Sequence, residues 1–222
     1  MKIEVDCPSL DALMDGGVES GCITLLFGEA GSGKTNLCLQ LARNVARAGR
    51  KVAFIDSEGV SLERLRQICG EDYDRLLPEV LFTAVHTMAE QEKAVSKAAK
   101  LAETTPEIGL VVLDSATTHY RLTGDEAARE KERHALTRQI TRLMAAARRR
   151  DIPVLVTSQV YTKLDTGEYS PLGGHMMSHN AKDILRLEKV APQWRLAVIV
   201  KHRHLEEGAG TKFRLTGRGL ES

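Results

Sequence analysis

The chain has 222 residues, 42% of them hydrophobic and 27% charged, with a formal net charge of +1. That is the balance of a soluble globular protein with enough chain to bury a substantial core. It gives no overall electrostatic reason for binding nucleic acid, so any basic footprint must be local, and the longest apolar runs are strand-length, far short of the ~20 residues a membrane helix needs.

The N-terminus, MKIEVDCPSLDAL, carries acids and no apolar signal-peptide core. The four cysteines (Cys7, Cys22, Cys38, Cys69) form no Cys-x-x-Cys pair, so structural thiols in a reducing cytoplasm are expected. Residues 22–27, CITLLF, predict a strand. Residues 33–49 predict a helix with Leu37, Leu41, Val45 and Ala48 on one face and Gly49 as its stop. A strand over 51–56, a short helix over 61–69 and a strand over 80–85 follow. Thr87 with Glu90 has the capping-box spacing for a helix running to about Glu103. Residues 109–114, GLVVLD, predict a fourth strand, and a long helix from about Asp125 to Arg150 buries Leu136, Ile140, Leu143 and Ala147. Residues 153–159 predict a fifth strand. These strands are nearly continuous apolar runs, as burial on both faces of a parallel sheet demands, and they alternate with helices. Residues 182–190, 194–202 and 211–217 are strands separated only by short turns, which predicts an antiparallel meander. The reading is one α/β domain over 1–222. One segment resists it: residues 159–183, QVYTKLDTGEYSPLGGHMMSHNAKD, show no clear period, and a structureless run that long is usually functional or disordered.

Residues 28–35, GEAGSGKT, match G-x-x-x-x-G-K-[ST] between a predicted strand and helix. Glycines at 28, 31 and 33 let successive amides face a phosphate, and the helix start adds its positive end. The expected nucleotide contacts are Gly28, Glu29, Ala30, Gly31, Ser32, Gly33, Lys34, Thr35 and Asn36. Lys34 should reach the β- and γ-phosphates of ATP, and the Thr35 hydroxyl should bind Mg²⁺. Asp114, ending an apolar strand, is the second expected metal anchor. Glu58 is the candidate to activate water, with Asp56 as its rival, and Gln159 could sense the γ-phosphate. Tyr161, Lys163 and Tyr169 interleave aromatics with a cation, a pattern that can stack unpaired bases.

Other clusters read more plainly. Arg148, Arg149 and Arg150 suit a helix C-terminus in their own right, with contact to DNA phosphate as the alternative. Arg195, Lys201, Arg203, Lys212, Arg214 and Arg218 could share one basic face of the meander. No Cys or carboxylate cluster near His202-x-His204 or His175-x₃-His179 completes four metal ligands, so polar or phosphate contacts are expected there.

In order and spacing these pieces resemble the ATPase core of RecA-like recombinases. LDALMDGGVESGCITLLFGEAGSGKT (10–35) is similar to the opening of that core, FIDSEG to the segment with the catalytic glutamate, and LVVLDS to its Walker B strand. PLGGHMMSHNAKDILRLEK (171–189) is similar to the segment closing the second DNA-binding loop of archaeal and eukaryotic members. The resemblance implies a RecA-like P-loop core, with a mainly parallel sheet flanked by helices and an antiparallel meander. It leaves no room for the small helical DNA-binding domain of full recombinases, so it points to a core-only paralogue. It implies ATP and Mg²⁺ use, catalytic roles for Lys34, Glu58 and Gln159, and weak DNA-dependent ATPase activity. It further implies a first DNA-binding loop with Tyr120 and Arg121, and a second closing at Gly173, Gly174 and His175. Implied partners are single- or double-stranded DNA, the main archaeal recombinase, other repair proteins and a second copy in a homodimer, with no membrane. The only Phe-x-x-Ala match, Phe27 to Ala30, lies in the first strand and loop and cannot serve as the family's polymerisation tether. Lys201 and Arg203 stand where bacterial members place lysines that touch a neighbour's ATP. A regulatory RecA-like ATPase acting on protein targets and a small-molecule P-loop kinase are the competing readings. The basic meander and the Gly-Gly-His run speak against the first, the antiparallel C-terminal strands against the second.

Overall fold

The computed structural model describes residues 1–120, 126–162 and 169–222, with Thr162 described by its backbone only. In chain order the elements are β1 (Lys2–Ile3), α1 (Pro8–Leu13), β2 (Val18–Glu19), β3 (Ile23–Gly28), α2 (Lys34–Arg47), β4 (Lys51–Asp56), α3 (Leu62–Cys69), α4 (Tyr73–Leu76), β5 (Val80–Ala84), α5 (Met88–Thr104), β6 (Ile108–Asp114) and α6 (Glu126–Arg150). They continue with β7 (Val154–Ser158), β8 (Val160–Thr162), β9 (Tyr169–Pro171), α7 (Gly174–Asn180), β10 (Asp183–Lys189), β11 (Trp194–Lys201), β12 (Gly210–Thr216) and β13 (Gly219–Glu221).

Among the described residues, nine strands form one sheet in the order β13-β12-β11-β10-β3-β7-β6-β4-β5. From β10 to β5 every pairing is parallel, and β11, β12 and β13 add antiparallel. Successive residues of the central strands enter opposite cores. Leu26, Val52, Phe54, Leu110 and Val112 pack with α1 to α4, whereas Leu25, Phe27, Ala53, Ile55, Val111 and Leu113 pack with α5, α6 and α7. This two-sided burial is why the strands read as unbroken apolar runs. The helix starts follow local chemistry. Ser61 Oγ accepts from the Arg64 amide at 3.2 Å, and Thr87 Oγ1 from the Glu90 amide at 3.2 Å. The Glu90 carboxylate accepts from the His86 amide at 2.8 Å, one residue before the capping-box position. No described helix is long and apolar enough to cross a membrane.

Three expectations need correction. Residues 159–183 are not structureless: β8 and β9 pair as an antiparallel hairpin and α7 follows. These elements are too short for a periodicity to register. The meander has a fourth strand, β13, only three residues long. The basic residues of the meander do not share a face. Arg195 stands opposite Phe213 and Trp194 opposite Arg214, so Arg195 points with Ala197 and Ile199 into the core while Arg214 lies over the Trp194 ring on the other side. All four cysteines are free and buried.

The chain ends are tied into α2 by one side chain. Gln40, 1% exposed, donates through Nε2 to the carbonyls of Asp6 (3.1 Å) and Leu220 (3.2 Å) and accepts the Leu220 amide at Oε1 (2.7 Å). Gln40→Met keeps the volume and strands these backbone groups. Urea denaturation should show a loss of about 1–3 kcal/mol.

Candidate functional site

The parallel strands deliver their first polar groups to one edge of the sheet. In register, Gly28 stands beside Leu187, Phe27 beside Ser158, and Asp56 beside Asp114. This is the carboxyl edge, where open α/β sheets form their crevices.

The loop 28–35 is shaped by what its glycines permit. A Cβ on Gly28 would run into the Leu187 carbonyl, a backbone group that cannot swing away. Gly31 and Gly33, at φ 73° and 107°, turn the chain into α2. Lys34, 6% exposed, folds back and donates to the carbonyls of Gly28 (2.8 Å) and Glu29 (3.0 Å). Burial draws its ammonium below the ordinary lysine range, against the pull of Glu58 and Asp114. Ser32 Oγ is buried without a hydrogen-bond partner. Asn36 turns its Oδ1 to Arg64 Nε (2.5 Å).

Sequence reasoning missed the residue that holds this loop from below. Arg195 Nε donates to the Gly31 carbonyl at 2.9 Å, and its Nη1 to the carbonyls of Ala191 (3.1 Å), Pro192 (3.3 Å) and Trp194 (2.9 Å). The loop is thereby clamped to the β10–β11 turn. The available signal was alternation: Arg195 occupies an inward position of WRLAVIV.

Asp114 is fully buried; its Oδ1 accepts from Thr157 Oγ1 at 2.5 Å, and its Oδ2 has no partner. Burial raises its carboxyl above the usual range, opposed by the Thr157 hydrogen bond and by the nearby Thr35 hydroxyl. An unpartnered carboxylate oxygen beside the Thr35 hydroxyl is a fit for a divalent cation with oxygen ligands.

Asp56 and Glu58 differ in what holds them. The Asp56 carboxylate accepts the amides of Glu58 (3.1 Å), Gly59 (2.8 Å) and Val60 (2.7 Å), which occupies it in shaping the turn. Glu58 is presented by that turn, and its Oε1 accepts from Gln159 Nε2 at 3.2 Å and Thr118 Oγ1 at 3.3 Å. Gln159 is itself fixed, its amide donating to Thr117 Oγ1 (3.0 Å) and its carbonyl accepting the Leu172 amide (2.9 Å).

Leu172 borders a surface groove of about 500 Å³ lined also by Tyr120, Arg133, Tyr161, Gly173, Gly174, His175 and Met176. Residues from both expected loops meet there. Arg133 joins them from α6 and was not foreseen, because it lies in a helix rather than in either loop. Tyr169 is exposed on the hairpin. Arg121 and Lys163 lie outside the described residues. Lys201 and Arg203 are brought to the opposite end of the sheet: Lys201 donates to the carbonyls of Ser178 and Ala181, each at 2.8 Å, and Arg203 lies 3.8 Å from Glu19. Arg149 at the end of α6 pairs with Glu103 at 2.8 Å.

The chain is similar to known proteins along its whole length. The Rad51 family model matches residues 1–222. The DNA repair and recombination protein RadB of Methanococcoides burtonii is 41% identical over 215 residues, covering 96% of this chain and 95% of its own. That of Thermoplasma acidophilum is 40% identical over 221 residues, covering 99% and 93%. A crystal structure of a RadB recombinase superposes with a TM-score of 0.86 at 34% identity, over 99% of both chains.

The buried Asp114 sets a pH dependence. Its folded-state value lies above its unfolded-state value, so between the two the folded chain holds a proton the unfolded chain has lost, and stability falls as pH rises through that window. Asp114→Asn keeps an acceptor for Thr157 and removes the charge. In urea denaturation without metal, the variant should match wild type below the carboxylate range and become progressively the more stable of the two towards neutral pH. A difference that does not vary with pH would contradict this.

Proposed function

The chain belongs to the Rad51 family, in its RadB group of DNA repair and recombination proteins, and on that footing we propose that it is an ATP-binding, DNA-binding accessory of homologous recombination with weak, DNA-dependent ATP hydrolysis. One observation carries the reading. An unbroken chain of hydrogen bonds runs from Glu58 through Gln159 to Leu172, so the edge that would hold nucleotide is wired to the groove that would hold DNA.

ATP would lie on the amides of residues 28–35, with Lys34 exchanging the Gly28 and Glu29 carbonyls for phosphate oxygens. Mg²⁺, held by Thr35 and Asp114, would neutralise charge on the β- and γ-phosphates. Glu58 orients a water and takes its proton. Gln159 shares its amide between Glu58 and the γ-phosphate region, so a change there shifts Leu172 and the groove. Hydrolysis is slow in the isolated chain because Glu58 stands on an exposed turn, where water competes for the groups that must be ordered. DNA, the main recombinase, another repair protein or a second copy would complete the site by covering it.

In the groove, Tyr120 and Tyr161 offer ring faces, and Arg133 offers a cation at its wall. That combination suits single-stranded DNA, whose bases are free to stack.

Lys34→Ala should weaken ATP binding at least about tenfold, whereas Glu58→Gln should bind ATP normally and lose about 10²-fold or more in DNA-stimulated turnover. ATP binding that survives Lys34→Ala would sink the nucleotide assignment. Single-stranded DNA binding, measured with and without ATP across salt, should weaken in Tyr161→Ala by about 1–3 kcal/mol. Arg133→Ala should reduce the salt slope by about one. Affinity indifferent to both variants, to ATP and to salt would turn the reading towards a protein target.

A further inference from the structure

The opposite end of the sheet gathers a second set of reactive side chains. Glu19 ends β2, Cys22 precedes β3, Asp183 opens β10 beside Thr24, and His202 and His204 follow β11. Ligand atoms of Glu19, His202 and His204 lie within 4.8 Å of one another, and so do those of Glu19, Cys22 and Asp183. The two groups share Glu19 and are joined again where His202 Nε2 stands 3.5 Å from Asp183 Oδ1. Cys22 Sγ is 3.3 Å from Asp183 Oδ2.

The 3.3 Å Cys22–Asp183 and 3.5 Å His202–Asp183 separations have a chemical meaning. Zinc bound tetrahedrally to O, N and S ligands at about 2.0–2.3 Å places neighbouring donor atoms about 3.3–3.7 Å apart. The side chains of Asp183 and His202 are only 6% and 5% exposed, and Cys22 is 2% exposed. Asp183 Oδ1, turned into the cluster, has no hydrogen-bond partner, an expensive condition for a buried carboxylate. A histidine pair alone, read along the sequence, lacked the Cys and carboxylate that fold topology now supplies from residues 19, 22 and 183.

We propose that this cluster is a structural zinc site, with Glu19, Cys22, Asp183 and His202 as ligands and His204 at its solvent side. On binding, the Cys22 thiol releases its proton to solvent as the Zn–S bond forms. Three anionic ligands then face the two charges of zinc and the guanidinium of Arg203, 3.8 Å from Glu19, so the local charges cancel. The site lies at the amino ends of β3 and β10, across the sheet from the loop 28–35. Its role is to pin β2, β3, β10 and the end of β11 together.

The test is titration of the metal-free full chain with Co²⁺, as a spectroscopic stand-in for Zn²⁺, in the absence of nucleotide. One equivalent should develop an ultraviolet thiolate-to-cobalt band that Zn²⁺ removes, and Zn²⁺ should raise the melting temperature. Cys22→Ser should abolish the band, Cys38→Ala should leave it, and Glu19→Gln and His202→Gln should each weaken binding about tenfold or more, the scale on which metal sites respond to lost support. No thiolate band in the wild-type chain, or a band that survives Cys22→Ser, would overturn the proposal and leave the cluster as an ion-pair network.

Discussion

β3 and β6 are covered on both faces, so every residue from Ile23 to Leu113 that these two strands contribute to the sheet interior is withdrawn from water. No ionised group is tolerated along their length, and polar function is driven to where the strands stop. Asp114 ends β6 level with Thr157 of β7, and Gly28 and Gln159 emerge two residues further along the same edge. The same burial loads Asp114 with a desolvation penalty that a cation would relieve. The site is thus a product of the core, at the boundary where apolar packing runs out.

Division of labour among neighbouring acids follows from local hydrogen bonding. Asp56 and Glu58 are two residues apart on one turn, yet three backbone amides hold Asp56 while Glu58 faces Gln159 and Thr118. A short side chain reaches its own backbone; a longer one reaches across.

Much of this was legible in the sequence, for stated physical reasons. Strand runs such as KVAFID and GLVVLD and the 28–35 loop announce themselves because burial and backbone conformation restrict residue choice at each position. Helices α3 and α5 begin at the side-chain caps their sequences offer, Ser61 and Thr87. What stayed hidden depends on pairing between distant segments. Arg195 looks like any surface base until β12 pairs beside it. Arg133 joins the groove only because α6 packs against α7. Glu19, Cys22, Asp183 and the two histidines form a cluster only once β10 lies against β3. No local period encodes such meetings, and the short elements within 159–183 stand below the length at which a period can be read.

The clamp on the glycine loop also bears on the order in which the chain is made. Arg195 reaches Gly31 across 164 residues, and β3 finds its sheet neighbours only in β7 and β10. A nascent chain that has emerged through α2 therefore has the whole loop sequence and neither its floor nor its walls. Contacts of such long sequence separation form late and slowly. Until β10 leaves the ribosome, β3 lacks one of its two sheet neighbours, and the loop lacks its clamp for longer still, until Arg195 follows.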